Sequence, residues 1–169
     1  EEICIKAKVS KMTFYRFYPN KVELVKVLFR KSINESVAIF REIMNEDVPA
    51  DKKIEKMIRM KLEGTHDMSQ EFITDIYNDN QFGLTTFLQD ETKKMWSELV
   101  NDFKIAQNKG FFRKDFKPEL LFYLVQKMNE MMSDPRITNL YTTPHDFIME
   151  ITRLFFYGIA PYNKDLKYK

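Results

Sequence analysis

The sequence predicts an all-α protein, and three observations carry that prediction. Apolar residues recur at three- and four-residue spacing through most of the chain, and no stretch alternates strictly at two. Only 4 Gly and 6 Pro punctuate 169 residues, which leaves few turns and favours long elements. Ser10, Asn20, Ser69 and Thr143 each precede an apolar-periodic run, as helix-capping side chains do.

The elements follow in order. Residues 2–7 read as the end of a short helix. Val9-Ser10 is a turn, with Ser10 capping a second short helix over residues 11–17. Pro19-Asn20 interrupts. Asn20 with Glu23 has the capping-box spacing and opens a long helix. Val22, Val25, Leu28 or Phe29, Val37, Phe40 and Met44 keep one of its faces apolar to residue 45. Pro49 and Asp51 restart the chain, and Ile54, Met57, Ile58 and Leu62 mark a helix ending near Gly64. Ser69 caps a short helix through Phe72, Ile73, Ile76 and Tyr77, broken by Asn78-Asp79-Asn80. A second long helix spans 84–109, with Leu84, Phe87, Leu88, Met95, Leu99, Phe103 and Ala106 on one face and Gly110 just beyond its end. Pro118 opens a helix over 118–133 through Leu121, Val125, Met128 and Met132, and Asp134-Pro135 closes it. Thr143-Pro144-His145-Asp146 opens the last helix. Ile148, Ile151, Leu154 and Phe155 form one face to Gly158, while Phe147, Phe156 and Ile159 make a second apolar side. A helix apolar on two sides asks for two partners, its own core and a second copy of the chain.

Composition narrows the class. Hydrophobic residues are 44% of the chain and aromatics 14%, enough for a sizeable core and against disorder. A single cysteine, Cys4, excludes a disulfide within the chain and a Cys-based zinc site, and fits a reducing, cytoplasmic setting. No apolar run approaches the roughly 20 residues of a membrane span, so no membrane partner is expected. Residues 1–9 are too short and too charged for a signal peptide. Charge is segregated. Residues 1–31 carry eight basic side chains against three acidic ones, a local +5 in a chain of net +2, so the remainder is −3. A basic end on an acidic body suggests two tasks, one of them facing an anion.

That basic end contains KVSKMTFYRFYPNKVEL, residues 8–24. Two short helices, a tight turn and a long helix give the outline of a helix-turn-helix unit. Its recognition helix needs short polar and basic side chains outward. Residues 10–18 supply Ser10, Lys11, Thr13, Tyr15, Arg16 and Tyr18, while Phe14 and Phe17 are spaced to anchor the helix inward. Asn20-Lys21 sets backbone N–H groups and an ammonium at a helix N-terminus, a seat for a phosphate. The plain alternative is a basic amphipathic hairpin that only packs.

The stretch KVSKMTFYRFYPNKVELVKVLF resembles the TetR family of bacterial transcriptional regulators. Ala7, Val9, Ser10, Lys11, Thr13, Tyr15, Arg16, Lys21 and Leu24 match the family pattern, and Phe14, Phe17 and Tyr18 keep its apolar or aromatic type. Lys8 stands where the family has a turn glycine, and Met12 where it has a glycine at the start of the recognition helix. Lys8 must therefore accept the turn's backbone angle, and Met12 offers the helix a side chain for a thymine methyl. KGFFRKDFKPELL resembles the family's link into its last two long helices, and LFFYGI its closing helix. The family has a further helix ahead of the motif, and this chain opens at the motif's own first helix. The expectation is thus an N-terminally incomplete DNA unit, truncated or disordered.

The resemblance implies residues 1–45 as helix-turn-helix and connecting helix, and 46–169 as an effector-binding and dimerising bundle. It implies a ligand-responsive regulator, more often a repressor, that binds a palindromic double-stranded operator as a homodimer. Lys11, Met12, Thr13 and Arg16 are expected at or near base edges, beside Ser10. Tyr15, Tyr18 and Lys21 are expected on phosphates. Residues 118–133 and 144–159 would form a four-helix bundle between copies. The effector would be an apolar or aromatic small molecule among Met57, Met60, Phe72, Ile76, Tyr77, Phe82, Phe87, Trp96, Phe103, Phe122 and Met128. His66, Tyr123, Gln126 and Asn129 are the polar anchors available. At helical spacing each of the apolar residues also reads as plain core. Lys26, Arg30 and Lys31 read as solvated surface.

Nothing calls for catalysis, a cofactor or a metal. There is no Gly-x-Ser-x-Gly elbow or phosphate-binding glycine loop, and Cys4 falls on the buried side of the DNA unit. His66 and His145 are the sole histidines, and no third or fourth ligand stands at zinc spacing. The rival reading is a helical dimer that binds a small molecule without regulating DNA.

Overall fold

Helix boundaries follow from side chains visible in the sequence. A computed structural model describes residues 1–66, 83–132 and 134–161, and among them eight helices and no strand. They are α1 (Glu2–Lys6), α2 (Lys11–Phe17), α3 (Lys21–Asn45), α4 (Ala50–Thr65), α5 (Leu84–Asn108), α6 (Pro118–Met131), α7 (Pro135–Thr138) and α8 (Pro144–Ile159). Ser10 accepts from the Thr13 N–H and Asn20 from the Glu23 N–H. Thr143 and Asp146 close a full capping box. At Asn20 only half of the expected box forms, because Glu23 turns its carboxylate to the Lys26 ammonium, 2.8 Å away.

Two helices end in the same way. At the end of α5 the Phe111 N–H reaches the Ala106 carbonyl and the Gly110 N–H reaches Gln107, with Gly110 at φ +79°. At the end of α1 the Val9 N–H reaches Cys4 and the Lys8 N–H reaches Ile5, with Lys8 at φ +53°. Both are Schellman closures, which want a left-handed residue just past the helix. Lys8 therefore takes the glycine conformation that the turn imposes, at some strain.

The helices expected to end near Gly64 and Gly158 do so, α4 running one residue further to Thr65 and α8 to Ile159. Neither glycine has a positive φ, so neither forms a left-handed cap. α6 ends at Met131, two residues early, and the short α7 lies in a stretch to which the sequence reading assigns no element, with Asp134 capping it. The helix predicted after Ser69 lies outside the described residues.

The principal core joins Val37, Phe40, Ile43 and Met44 of α3 to Ile54 and Met57 of α4. Leu99, Phe103 and Ala106 of α5 complete it, with Phe112, Leu121 and Ile159. Phe103 is its hub. Its ring lies 5.1 Å from Phe40, 5.2 Å from Phe112 and 5.9 Å from Trp96. Burying each such ring contributes about 1.5–3 kcal/mol. The link after α5 is held firmly. Gln107 donates to the carbonyls of Arg113 and Phe116, and the Arg113 N–H donates to the Ile159 carbonyl. A satellite cluster joins Met132 to Phe147 and Ile148.

The α3 face choice resolves to Phe29, which is half-buried, while Leu28 is exposed. Leu62 and Leu154, placed on core faces by the sequence, are exposed instead. In α8 the buried side is Phe147, Ile148, Met149, Thr152 and Ile159.

Lys53 was not legible as a structural residue. Its side chain is completely buried. The ammonium donates to the carbonyls of Ile43 (2.8 Å), Met44 (3.3 Å) and Glu46 (2.6 Å) and lies 4.3 Å from the Phe111 ring centre. These are carbonyls of the last turn of α3, which carries no basic residue of its own and no glycine cap. Burial pushes the Lys53 pKa down, opposed by the nearby Glu46 carboxylate.

Candidate nucleic-acid interface

The element expected to meet DNA is α2. Its seven residues begin at a Ser10 cap whose hydroxyl also meets the Thr13 hydroxyl at 2.9 Å, so both hydroxyls are held at the N-terminal end. Lys11, Met12, Tyr15 and Arg16 are exposed, and Met12 is the most open of these apolar side chains, at 83%. Thr13 and Tyr18 are half-buried, and Lys21 is exposed in the first turn of α3. All eight residues predicted to meet DNA thus fall in one short run, α2 and its flanks. Lys11 is drawn toward Glu1 at 3.0 Å, with both side chains exposed, a pair that yields readily to a phosphate.

Phe17 differs from expectation. It is 65% exposed, with the Arg16 guanidinium 5.0 Å over its ring. Inward anchoring falls to Phe14, whose ring meets Tyr18 at 5.7 Å and Tyr15 at 5.4 Å. Cys4 is buried, as its place in α1 predicted.

Helix α3 carries this unit into the body, and its basic face is not simply solvated. Arg30 makes a two-point contact with Glu91 of α5 (3.1 and 2.9 Å) and lies 5.1 Å over Phe87. Lys26 is 5.7 Å from the same ring. Beneath them Val22, Leu84 and Leu88 form a separate apolar cluster with Val25, Phe29 and Phe87. Farther along, Arg41 reaches Asp102 at 2.7 Å. Arg30 with Glu91 and Arg41 with Asp102 share an offset of 61 residues, so α3 and α5 run parallel. The Arg30 contact holds the Glu91 carboxyl below its usual range.

The predicted effector residues divide by place. Phe87 belongs to the α3–α5 clamp, while Met57 and Phe103 are buried in the principal core. Met60, Trp96, Phe122, Gln126 and Met128 are half-buried. Tyr123 is 62% exposed on α6, beside the exposed Leu120 and Leu124. Phe72, Ile76, Tyr77 and Phe82, and the side chain of Asn129, lie outside the described residues. An open depression of about 390 Å³ is lined by Leu62, Tyr141, His145, Asp146, Met149, Glu150 and Arg153, none of them predicted effector residues. Beside it the His145 ring nitrogen meets the Thr65 hydroxyl at 3.0 Å, and the His66 ring lies 5.8 Å from that of His145. Among the described residues no three His, Cys, Asp or Glu side chains gather as metal ligands. No described helix is long and apolar enough to cross a membrane.

With this geometry in hand, comparison with solved structures is informative. The fatty acid degradation regulator FadR of Bacillus halodurans superposes at a TM-score of 0.64, with 18% identity, over 92% of this chain and 82% of that one. The ketosteroid transcriptional regulator KstR2 of Mycobacterium tuberculosis superposes at 0.52, with 15% identity, over 95% and 83%. The chain has the fold of these regulators. A TetR transcriptional regulator of Streptomyces coelicolor, SCO0520, is more distant, at 0.45 and 15% identity over 95% and 86%. No protein-family model matches the chain, and no curated protein matches it in sequence.

Proposed function

We propose that the protein is a cytoplasmic, ligand-responsive transcriptional regulator, a repressor that binds a palindromic operator as a homodimer. The observation that carries this reading is α2 itself. It is a capped helix with Lys11, Met12, Tyr15 and Arg16 exposed together, mounted on a 25-residue helix that leads into the body. Residues 1–45 serve as the DNA unit and 46–169 as the sensing and dimerising part. Lys11, Met12, Thr13 and Arg16 read base edges, and Tyr15, Tyr18 and Lys21 hold phosphates.

The dimer forms through residues 118–133 and 144–159. Support comes from apolar side chains left open on those helices: Leu120, Tyr123 and Leu124 of α6, and Leu154 and Tyr157 of α8. The effector is apolar, in keeping with the Met- and Phe-rich body and with the fatty acid and ketosteroid named for the two structural neighbours. It acts through the α3–α5 clamp. A ligand that favours one packing of α5 changes the tilt of α3, and with it the separation of the two recognition helices.

The test is DNA binding by the full-length protein carrying Arg16→Ala or Lys21→Ala. Arg16→Ala should relax sequence preference. Lys21→Ala should weaken all duplexes alike and reduce the salt slope by about one. Unchanged binding in both variants would reject the assignment. Leu154→Glu with Tyr157→Glu should yield monomers in sedimentation, and an intact dimer would place the interface elsewhere.

A further inference from the structure

Phe17 is out of place for an aromatic ring. It closes α2, one turn after the inward Phe14, yet it is 65% exposed. It joins none of the apolar clusters among the described residues. The other rings of the run are accounted for, since Tyr15 and Tyr18 both meet Phe14, at 5.4 and 5.7 Å. Phe17 meets a cation instead, the Arg16 guanidinium 5.0 Å over its face. The ring's electron-rich face attracts the flat, weakly hydrated guanidinium without using any of its N–H groups. Among the described residues no hydrogen bond or ion pair engages Arg16, whereas Lys11 of the same helix is drawn to Glu1.

The protein contains the filled counterpart of this arrangement. Arg30 lies over Phe87 at 5.1 Å, nearly the same separation. Its Nε and Nη2 donate to the two oxygens of Glu91, at 3.1 and 2.9 Å. Backed by a ring, that guanidinium offers its edge to a planar pair of acceptors. Arg16 has the ring and lacks the acceptors. In a major groove the pair that fits an arginine fork is O6 and N7 of guanine. An exposed arginine otherwise samples many rotamers, and fixing it on a base costs that freedom. A ring that already holds the guanidinium lowers the cost and favours the base that fits the fork.

We propose that Phe17 is a positioning residue for sequence readout, its ring holding the Arg16 guanidinium with the fork open to O6 and N7 of a guanine. The proposal rests on α2 as the DNA-reading helix, and it adds a side chain that reads no base itself.

The test measures base preference, position by position, in competition experiments with the full-length protein and duplexes enriched from random sequence. Arg16→Ala identifies the base pair that Arg16 reads. At that pair Phe17→Leu, which keeps apolar bulk and removes the ring, should lower the preference for guanine roughly two- to fivefold. Preferences at the other pairs and the salt dependence should stay as they are, because no charge is lost. Phe17→Tyr should retain the guanine preference. In an Arg16→Ala background, Phe17→Leu should have no further effect. An unchanged preference in Phe17→Leu, a loss spread evenly over all duplexes, a loss that persists without Arg16, or a Phe17→Tyr variant no better than Phe17→Leu would each overturn the proposal. So would a base other than guanine at the pair that Arg16→Ala identifies. If Arg16→Ala alters no base pair, the reading of α2 fails together with the proposal. If it alters one that Phe17→Leu leaves intact, only the role of the ring fails.

Discussion

Lys53 fixes the far end of the connecting helix, and removing it should show how much that anchor contributes. Lys53→Met keeps the hydrocarbon stem and removes three donated hydrogen bonds. The bonds to the Ile43 and Met44 carbonyls are buried, and a buried polar group left unsatisfied costs about 1–3 kcal/mol. Losing a cation at a helix C-terminus removes roughly 0.5–1 kcal/mol more. Relief of the ammonium's burial acts in the opposite direction, the same burial that lowers its pKa. The net expectation is a loss of about 2–4 kcal/mol. For a chain of this size that lowers Tm by roughly 5–15 °C in a reversible melt. Lys52→Met is the control, because Lys52 is exposed and pairs only with Glu55, and it should leave Tm unchanged. A Lys53→Met variant melting with the wild type would refute the view that the α3 carbonyls depend on this ammonium.

Three further outcomes follow from the packing. Phe103→Ala removes the ring shared by Phe40, Trp96 and Phe112 and should cost about 3–5 kcal/mol in urea unfolding. Lys8→Gly relieves a left-handed non-glycine residue and should stabilise by about 1 kcal/mol or less, whereas Gly110→Ala imposes the same strain and should destabilise. Arg30→Ala, Glu91→Ala and the double variant should show coupling, the double being little worse than either single. Since the Glu91 carboxyl is held below its usual range, that coupling is present above the ordinary glutamate value and lost as pH falls through the lowered one. Melts at neutral pH and in acid read it directly.

Much of this architecture was written in local signals. Ser10, Asn20, Pro118 and Thr143 marked helix starts because capping is a short-range property, decided within one turn. The all-α class followed from periodicity together with the scarcity of glycine and proline and the capping residues. Gly64 and Gly158 marked their helix ends to within one residue without forming left-handed caps, whereas Gly110 supplies the left-handed angle that closes α5. Lys8 was recognisable through its position in the motif rather than through its own propensity. What escaped were interactions across long sequence separations. Nothing local shows that Arg30 will meet Glu91, or that Lys53 will turn inward to the end of α3. A lysine directly before Ile54, after a helix lacking both a glycine cap and a basic last turn, was the available clue for Lys53. The same limit explains Phe87, which periodicity placed on an apolar face without saying whether that face met an effector or α3.

The central claim is that α2 reads DNA. A selection from random duplexes, run on the full-length protein at two salt concentrations, tests it most directly. The account predicts enrichment of a palindrome with half-sites about one helical turn apart or slightly more. Affinity should fall steeply from low to high salt, and enrichment should disappear in a Lys11→Ala, Arg16→Ala variant. Absence of any enriched palindrome at either salt, or a palindrome that survives those substitutions, would contradict it.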